Sequence, residues 1–328
     1  MAKNSQPRPV VTRSEQPGAT LVWALLAGAM VWFAGRLWAL RGIAAYDLDA
    51  QGAAGLVIFA LPGLVSAALV LGAGAGLGLV SWRGMAGRPG KTRTGYGAAG
   101  GLAAAAVTGG ALFASGGPHP MAAAAVSVAV AALLGGLLAG LRTRVLAAGL
   151  AGALGVAAVQ LLAALFASPL RRLLDGSGTG PEVADAELQL AMIIGLVSGI
   201  AAGLAGHAVL RRMRPVGLSG YLAAGGMAGG LLLAAEVITR LAVPPLLDLA
   251  GGRTGDDPLV LQLTGQARLN AGLLVFFAGA ITSLVALGRG MPRRPAPPPG
   301  VAQSADSPIP ARSANDAPAT DEPVAEGS

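Results

Sequence analysis

Glu236 is the one carboxylate inside an apolar stretch of this 328-residue chain, and Arg240 follows it by one helical turn. An acid and an arginine at i, i+4 on a helix form an ion pair. In hydrocarbon each such charge costs about 2.5–3.5 kcal/mol on insertion scales, so charges there face partners or water. Two other strongly polar residues interrupt apolar runs, Arg36 and Gln160. Arg36 lies 17 residues past Ala19, Gln160 lies 15 past Val145, and Glu236 lies 18 past Leu218. If these runs are helices crossing in one direction, a rise of about 1.5 Å per residue puts all three roughly 22–27 Å from their starts. Arg36, Gln160, Glu236 and Arg240 are therefore the candidate intramembrane polar cluster. Glu236 has two expected partners, Arg240 on its own helix and Arg36 on the first. The competing reading is that both arginines snorkel to the interface and the i, i+4 pair stands alone.

Other chemistry-like motifs do not survive inspection. GMAGRPGKT at 84–92 resembles a phosphate-cradling loop, but that motif needs four residues between its first glycine and Gly-Lys-Thr. Gly84 leaves five, and no strand precedes it. GLSG at 217–220 is similar to the Gly-x-Ser-Gly of rhomboid-type intramembrane proteases, yet no histidine follows Ser219 to activate it. The two histidines, His119 and His207, stand apart with no carboxylate at helical spacing, which gives no metal site. There is no cysteine. The expectation is no catalytic constellation, no metal, no cofactor and no enzyme activity.

The elements that would position the polar cluster are apolar spans. The composition is 54% hydrophobic, 12% charged and 4% aromatic, with 51 glycines. Soluble domains carry about 25% charged residues, so lipid must solvate much of this chain. Eight spans are expected, at 19–40, 54–82, 95–114, 121–141, 145–167, 188–210, 218–243 and 269–288, after a polar N-terminal segment at 1–18. Pro62 should kink the second span. The tail, 289–328, is rich in Pro, Ala and Ser and cannot bury enough apolar area to offset chain entropy, so it is expected to be disordered. The fold class is therefore all-α, a multi-pass transmembrane helical bundle. Gly195, Gly199 and Gly203 form a small-residue ridge, as do Gly225/Gly229 and Gly226/Gly230, and such ridges let backbones approach closely. A short repeat is also suggested in two loops, where SPLRRLLD at 168–175 and VPPLLD at 243–248 each precede Leu-Gln-Leu by the same interval.

The net charge of +7 does not point to nucleic acid, because the positive residues sit in short loops beside apolar runs. Fifteen Lys and Arg fall in the segments on one side and five on the other. That bias places both termini in the cytoplasm. The Ala, Gly, Pro and Arg excess is that of a GC-rich bacterial genome, which implies a bacterial inner membrane. The expected partners are the lipid bilayer and other membrane subunits or a second copy. Two functions fit: a transporter or permease-like subunit, favoured by the polar level, and a non-catalytic membrane scaffold, favoured by the lack of polar residues near the midplane. A reporter fused after Arg294 should be active only if it is of the kind that works in the cytoplasm. Activity of an export-dependent reporter at that position would reverse the topology.

Overall fold

Apolar runs of 19–29 residues form eight helices in the computed structural model, which describes residues 17–44, 50–114, 119–166, 169, 181–213, 216–249 and 257–290. The helices are α1 (Ala19–Ala44), α2 (Ala50–Trp82), α3 (Gly90–Phe113), α4 (His119–Leu137), α5 (Thr143–Leu165), α6 (Pro181–Arg211), α7 (Leu218–Leu249) and α8 (Asp257–Gly290). Every regular element among the described residues is helical, with single 3₁₀ turns at Met85–Gly87 and Leu138–Gly140. All eight are long and apolar enough to span a membrane, and the chain is built as a multi-pass membrane protein. In hydrocarbon only structures that satisfy their own backbone hydrogen bonds are viable, which is why such runs become helices. Large apolar side chains such as Val31, Trp38 and Leu241 lie on the outside, each more than 70% exposed. That surface suits lipid rather than water.

Several boundaries differ from those expected. α6, α7 and α8 are longer than the apolar spans they contain. α7 continues through Pro244 and Pro245 to Leu249, and α8 begins at Asp257, twelve residues before the expected start at Leu269. A hydropathy reading ends a span where polar residues begin, but a helix needs only internal hydrogen bonds and continues past them. Residues 1–16 and the tail from 291 onward lie outside the described residues, as does all of 168–175 except Pro169; the matching 243–248 stretch is not a loop but the end of α7, and the two Leu-Gln-Leu strings lie in α6 and α8.

α2 is the central helix. Its apolar window is 72% buried, against 22% for α1 and 28% for α8. It packs on α1, α3, α4, α5 and α7. Glycines make the closest of these approaches. A Cβ added at Gly76 would lie 2.8 Å from the Gly136 carbonyl oxygen and 3.1 Å from that of Gly97, so α2, α3 and α4 meet backbone to backbone. The same junction recurs among α6, α7 and α8. A Cβ at Gly203 would lie 2.5 Å from the Gly279 carbonyl oxygen, and Gly225 meets the same carbonyl. Gly195, Gly199, Gly203, Gly225 and Gly229 all face α8, Gly226 faces the Phe276 ring, and Gly230 faces nothing within 4 Å. These ridges, apart from Gly230, are thus covered within the chain.

The recurrence extends to the whole bundle. In the first half α2 packs on α1, α3 and α4, and α3 packs on α4; in the second half α6 packs on α5, α7 and α8, and α7 on α8. Short strings recur at nearly the same spacing, LAGA at 26–29 in α1 and 150–153 in α5, 124 apart, and TGYGAAGG at 94–101 opposite SGYLAAGG at 219–226, 125 apart. The two halves thus share part of a contact pattern, but α5 also packs on α7, for which α1 and α3 show no counterpart. The halves meet through α2 with α5 and α7, α1 with α5, and α4 with α7.

Gly203→Ala should be destabilising, because its Cβ meets backbone oxygen on one side and Thr282 Cβ at 2.7 Å on another. Overpacking of this kind costs about 1–3 kcal/mol. Gly35→Ala and Gly110→Ala, with nothing within 4 Å of the new methyl, should melt at or above the parent temperature. Melting curves of the three variants in detergent check the contrast.

Candidate functional site

At the end of the bundle where α1, α5 and α7 finish and α2 and α8 start, the glycine packing opens. Glu236, on α7, is only 4% exposed. Arg240 Nε donates to its Oε1 at 3.1 Å, and Arg268 Nε lies 3.6 Å from its Oε2. The carboxylate is therefore gripped on both oxygens, once from its own helix and once from α8. Gly265 makes this possible. A Cβ there would come within 3.2 Å of both Glu236 Oε1 and Arg240 Nη2. A buried carboxylate in a membrane span demands such partners, since alone it carries a desolvation cost of several kcal/mol.

Arg36 and Gln160 form a second polar contact beside the first. Arg36 Nη2 donates to Gln160 Oε1 at 3.4 Å. The two residues are 124 apart, the interval that separates LAGA in α1 from LAGA in α5, so they occupy equivalent positions in the two halves. The Arg36 guanidinium lies across Gly63 of α2, where a Cβ would be 3.4 Å from its Cζ and Nε. Arg36 is thus not in contact with Glu236 as an ion pair. The across-bundle partner of Glu236 is Arg268.

Arg268 escaped the sequence reading because it stands one residue before the apolar run that begins at Leu269. It looked like a loop residue. The early start of α8 puts it inside a helix, facing α7. No periodic signal could have revealed this, since the polar residues from 257 to 268 read equally well as a connection.

Two clefts converge on this group. One, of about 280 Å³, is bounded by Ile58, Glu236, Thr239, Arg240, Val243, Gly265, Gln266 and Arg268. The other, of about 270 Å³, is bounded by Trp32, Arg36, Phe59, Pro62, Gly63, Ser66, Gln160, Leu232, Glu236, Arg268, Ala271 and Gly272. Glu236 and Arg268 stand in the wall between them. Together they reach the size range of small-molecule sites, about 300–1,000 Å³. Beneath the second cleft lies a void of about 10 Å³, walled by Trp32, Ser66, Val70 and Leu231 among others. That is room for a single water at most.

The helices beside the clefts are weakened there. Pro62 has no N–H to give the Ile58 carbonyl, and Pro244 has none for that of Arg240. Ser66 donates its hydroxyl to the Pro62 carbonyl at 2.7 Å, a back-bond that bends helices.

The remaining sequence motifs sit elsewhere. Residues 84–92 form a turn with Gly84 at φ 65° that runs into α3 at Gly90, so no nucleotide-binding loop forms. Ser219 lies exposed in the first turn of α7. His207 packs near the Tyr221 ring, with centroids 5.7 Å apart. The described residues contain no group of three His, Asp or Glu able to hold a metal.

Replacing Glu236 by Gln removes the carboxylate that both guanidiniums contact. Breaking a buried pair costs about 3–5 kcal/mol, and half-exposed Arg240 sets this one toward the lower figure. A double-mutant cycle by thermal melting should show coupling between Glu236 and Arg268 of about 0.5–3 kcal/mol. It should show none between Glu236 and Arg36. No family model, curated protein or solved structure matches this chain, and its function therefore rests on this geometry.

Proposed function

We propose that the chain is a transporter- or permease-like subunit of the bacterial inner membrane, with both termini in the cytoplasm and no catalytic role. The observation that supports this is the pair of clefts meeting at a buried, doubly paired carboxylate inside the span region. Charged groups held within spans mark substrate and ion paths more often than they mark packing. The clefts are closed below by tightly packed apolar side chains. An alternating-access protein has this form in one of its states, with a site open toward one face and sealed toward the other. Two further features favour movement. Pro62 and Pro244 each remove a hydrogen bond from the ladder of a helix beside the clefts, and the two halves of the bundle, which share part of a contact pattern, meet largely through α2 and α7. Parallel repeats of this kind are a known transporter device.

A second reading keeps support. The glycine junctions are backbone-tight over much of the bundle, as in a static scaffold that partners other subunits or a second copy of itself. The two readings differ in whether the floor of the cleft ever opens to the opposite side.

Because the chain has no cysteine, a single Ser66→Cys substitution places one thiol at that floor. A membrane-impermeant maleimide should label it from the periplasmic face of spheroplasts and also from the exposed cytoplasmic face of inverted vesicles. Labelling from one face only, under all conditions, would favour the scaffold.

A further inference from the structure

We propose that the cleft binds an anionic amphiphile, with its phosphate or carboxylate head at Arg36 and Gln160 and its hydrocarbon portion leaving between α2 and α8 into the bilayer. This rests on the clefts being a binding site, as the transport reading holds, but does not require that anything be moved.

The charge argument starts from how each cation is used. Glu236 is engaged by Arg240 and Arg268 on its two oxygens. Among the described residues Arg36 meets the neutral Gln160 carbonyl, at the long distance of 3.4 Å, and no carboxylate. A guanidinium held in place with a weak neutral acceptor has donors left over, and its planar fork fits the oxygens of a carboxylate or phosphate. Gln160 can contribute its amide N–H₂ to the same anion. Gly63 is the position at which any side chain would crowd this guanidinium.

Depth argues for an amphiphile rather than a free ion. Arg36 stands six residues inside the end of its span at Gly42, Glu236 ten inside Leu246, and Arg268 three inside Gly265. At about 1.5 Å per residue these are roughly 5–15 Å below the ends of the apolar windows. An anion held at that level stands beside the hydrocarbon layer, so an attached acyl chain can remain in the bilayer and add its own burial to the binding, which a free ion cannot.

The walls make the same distinction. Trp32, Phe59, Leu232 and Ala271 give the cleft an apolar lining around a small polar centre. The helix packing leaves a lateral way out. α8 packs on α6 and α7, α2 packs on α7 but has no extensive contact with α8, and the clefts occupy the space between α2 and α8 in front of α7. Phe59 at that edge is exposed, as a side chain facing lipid tails would be.

The test uses the full chain in nanodiscs made from phosphatidylcholine, titrated with phosphatidylglycerol, with inorganic phosphate as the soluble arm. Retention is read by native mass spectrometry and stability by thermal melting. Phosphatidylglycerol should be retained and raise the melting temperature, and inorganic phosphate should do neither. Arg36→Gln should weaken retention by about tenfold or more, the weight of one charge-assisted hydrogen bond. Arg36→Lys should keep part of it, and Arg41→Gln, outside the cleft, should leave it unchanged. Equal retention of phosphatidylcholine, unchanged binding in a folded Arg36→Gln protein, or saturation by inorganic phosphate alone would each overturn the proposal. The Ser66→Cys result separates the two readings. Two-sided labelling without lipid retention leaves transport standing and removes the amphiphile; one-sided labelling with Arg36-dependent retention leaves a lipid-binding scaffold.

Discussion

The bundle depends on backbones touching at glycine. Lipid tails are as apolar as leucine side chains, so helices in a membrane gain little by hiding apolar surface from lipid, and close van der Waals contact must hold them together instead. Gly76, Gly97 and Gly136 bring three helices to a common point, and Gly203, Gly225 and Gly279 bring three more. At both points an added methyl would collide with main-chain atoms that have no freedom to move. This constraint gives a physical role to many of the chain's glycines and to the depth at which α2 is buried.

Toward the other end glycine takes on a different task. Gly63 and Gly265 leave room not for a neighbouring helix but for the Arg36 and Arg240 guanidiniums. The helices separate there, Pro62 and Pro244 interrupt the hydrogen-bond ladders of α2 and α7, and the space between them is the pair of clefts. Rigidity and openness are thus divided along the bundle axis. The buried Glu236 carboxylate is tolerable in this region because both oxygens have a guanidinium, and because that guanidinium pair is itself partly exposed to the cleft.

The two halves share an architecture but not a chemistry. The register of TGYGAAGG with SGYLAAGG sets Glu236 opposite Ala111 in the first half, so the acid belongs to the second half alone. Arg36 and Gln160, which are equivalent positions, touch each other where α1 meets α5. Only α7 of the second half packs on both α2 and α4, which puts the acid-bearing helix at the seam. The repeat supplies the frame, and the departures from it supply the polar site.

The eight helices were legible in the sequence because the signal is local. A run of about 20 apolar residues must become a helix when lipid is the solvent. That Arg36, Gln160 and Glu236 lie toward the same end of their helices could also be counted out, since helical rise is constant. What local reasoning could not supply was which residues meet. Pairing of Arg36 with Gln160, and of Glu236 with Arg268 rather than Arg36, depends on how helices far apart in sequence rotate and pack. The partly shared contact pattern of the two halves was hidden for a related reason. Its strongest matches are short strings of Gly and Ala, which carry little identity until their shared contacts are seen. Arg268 fell outside the apolar pattern, so hydropathy assigned it to a loop. The sequence by itself determined the number and kind of elements, because those follow from each segment's own solvation; only the tertiary structure decided the site, because a buried charge chooses its partner by three-dimensional proximity.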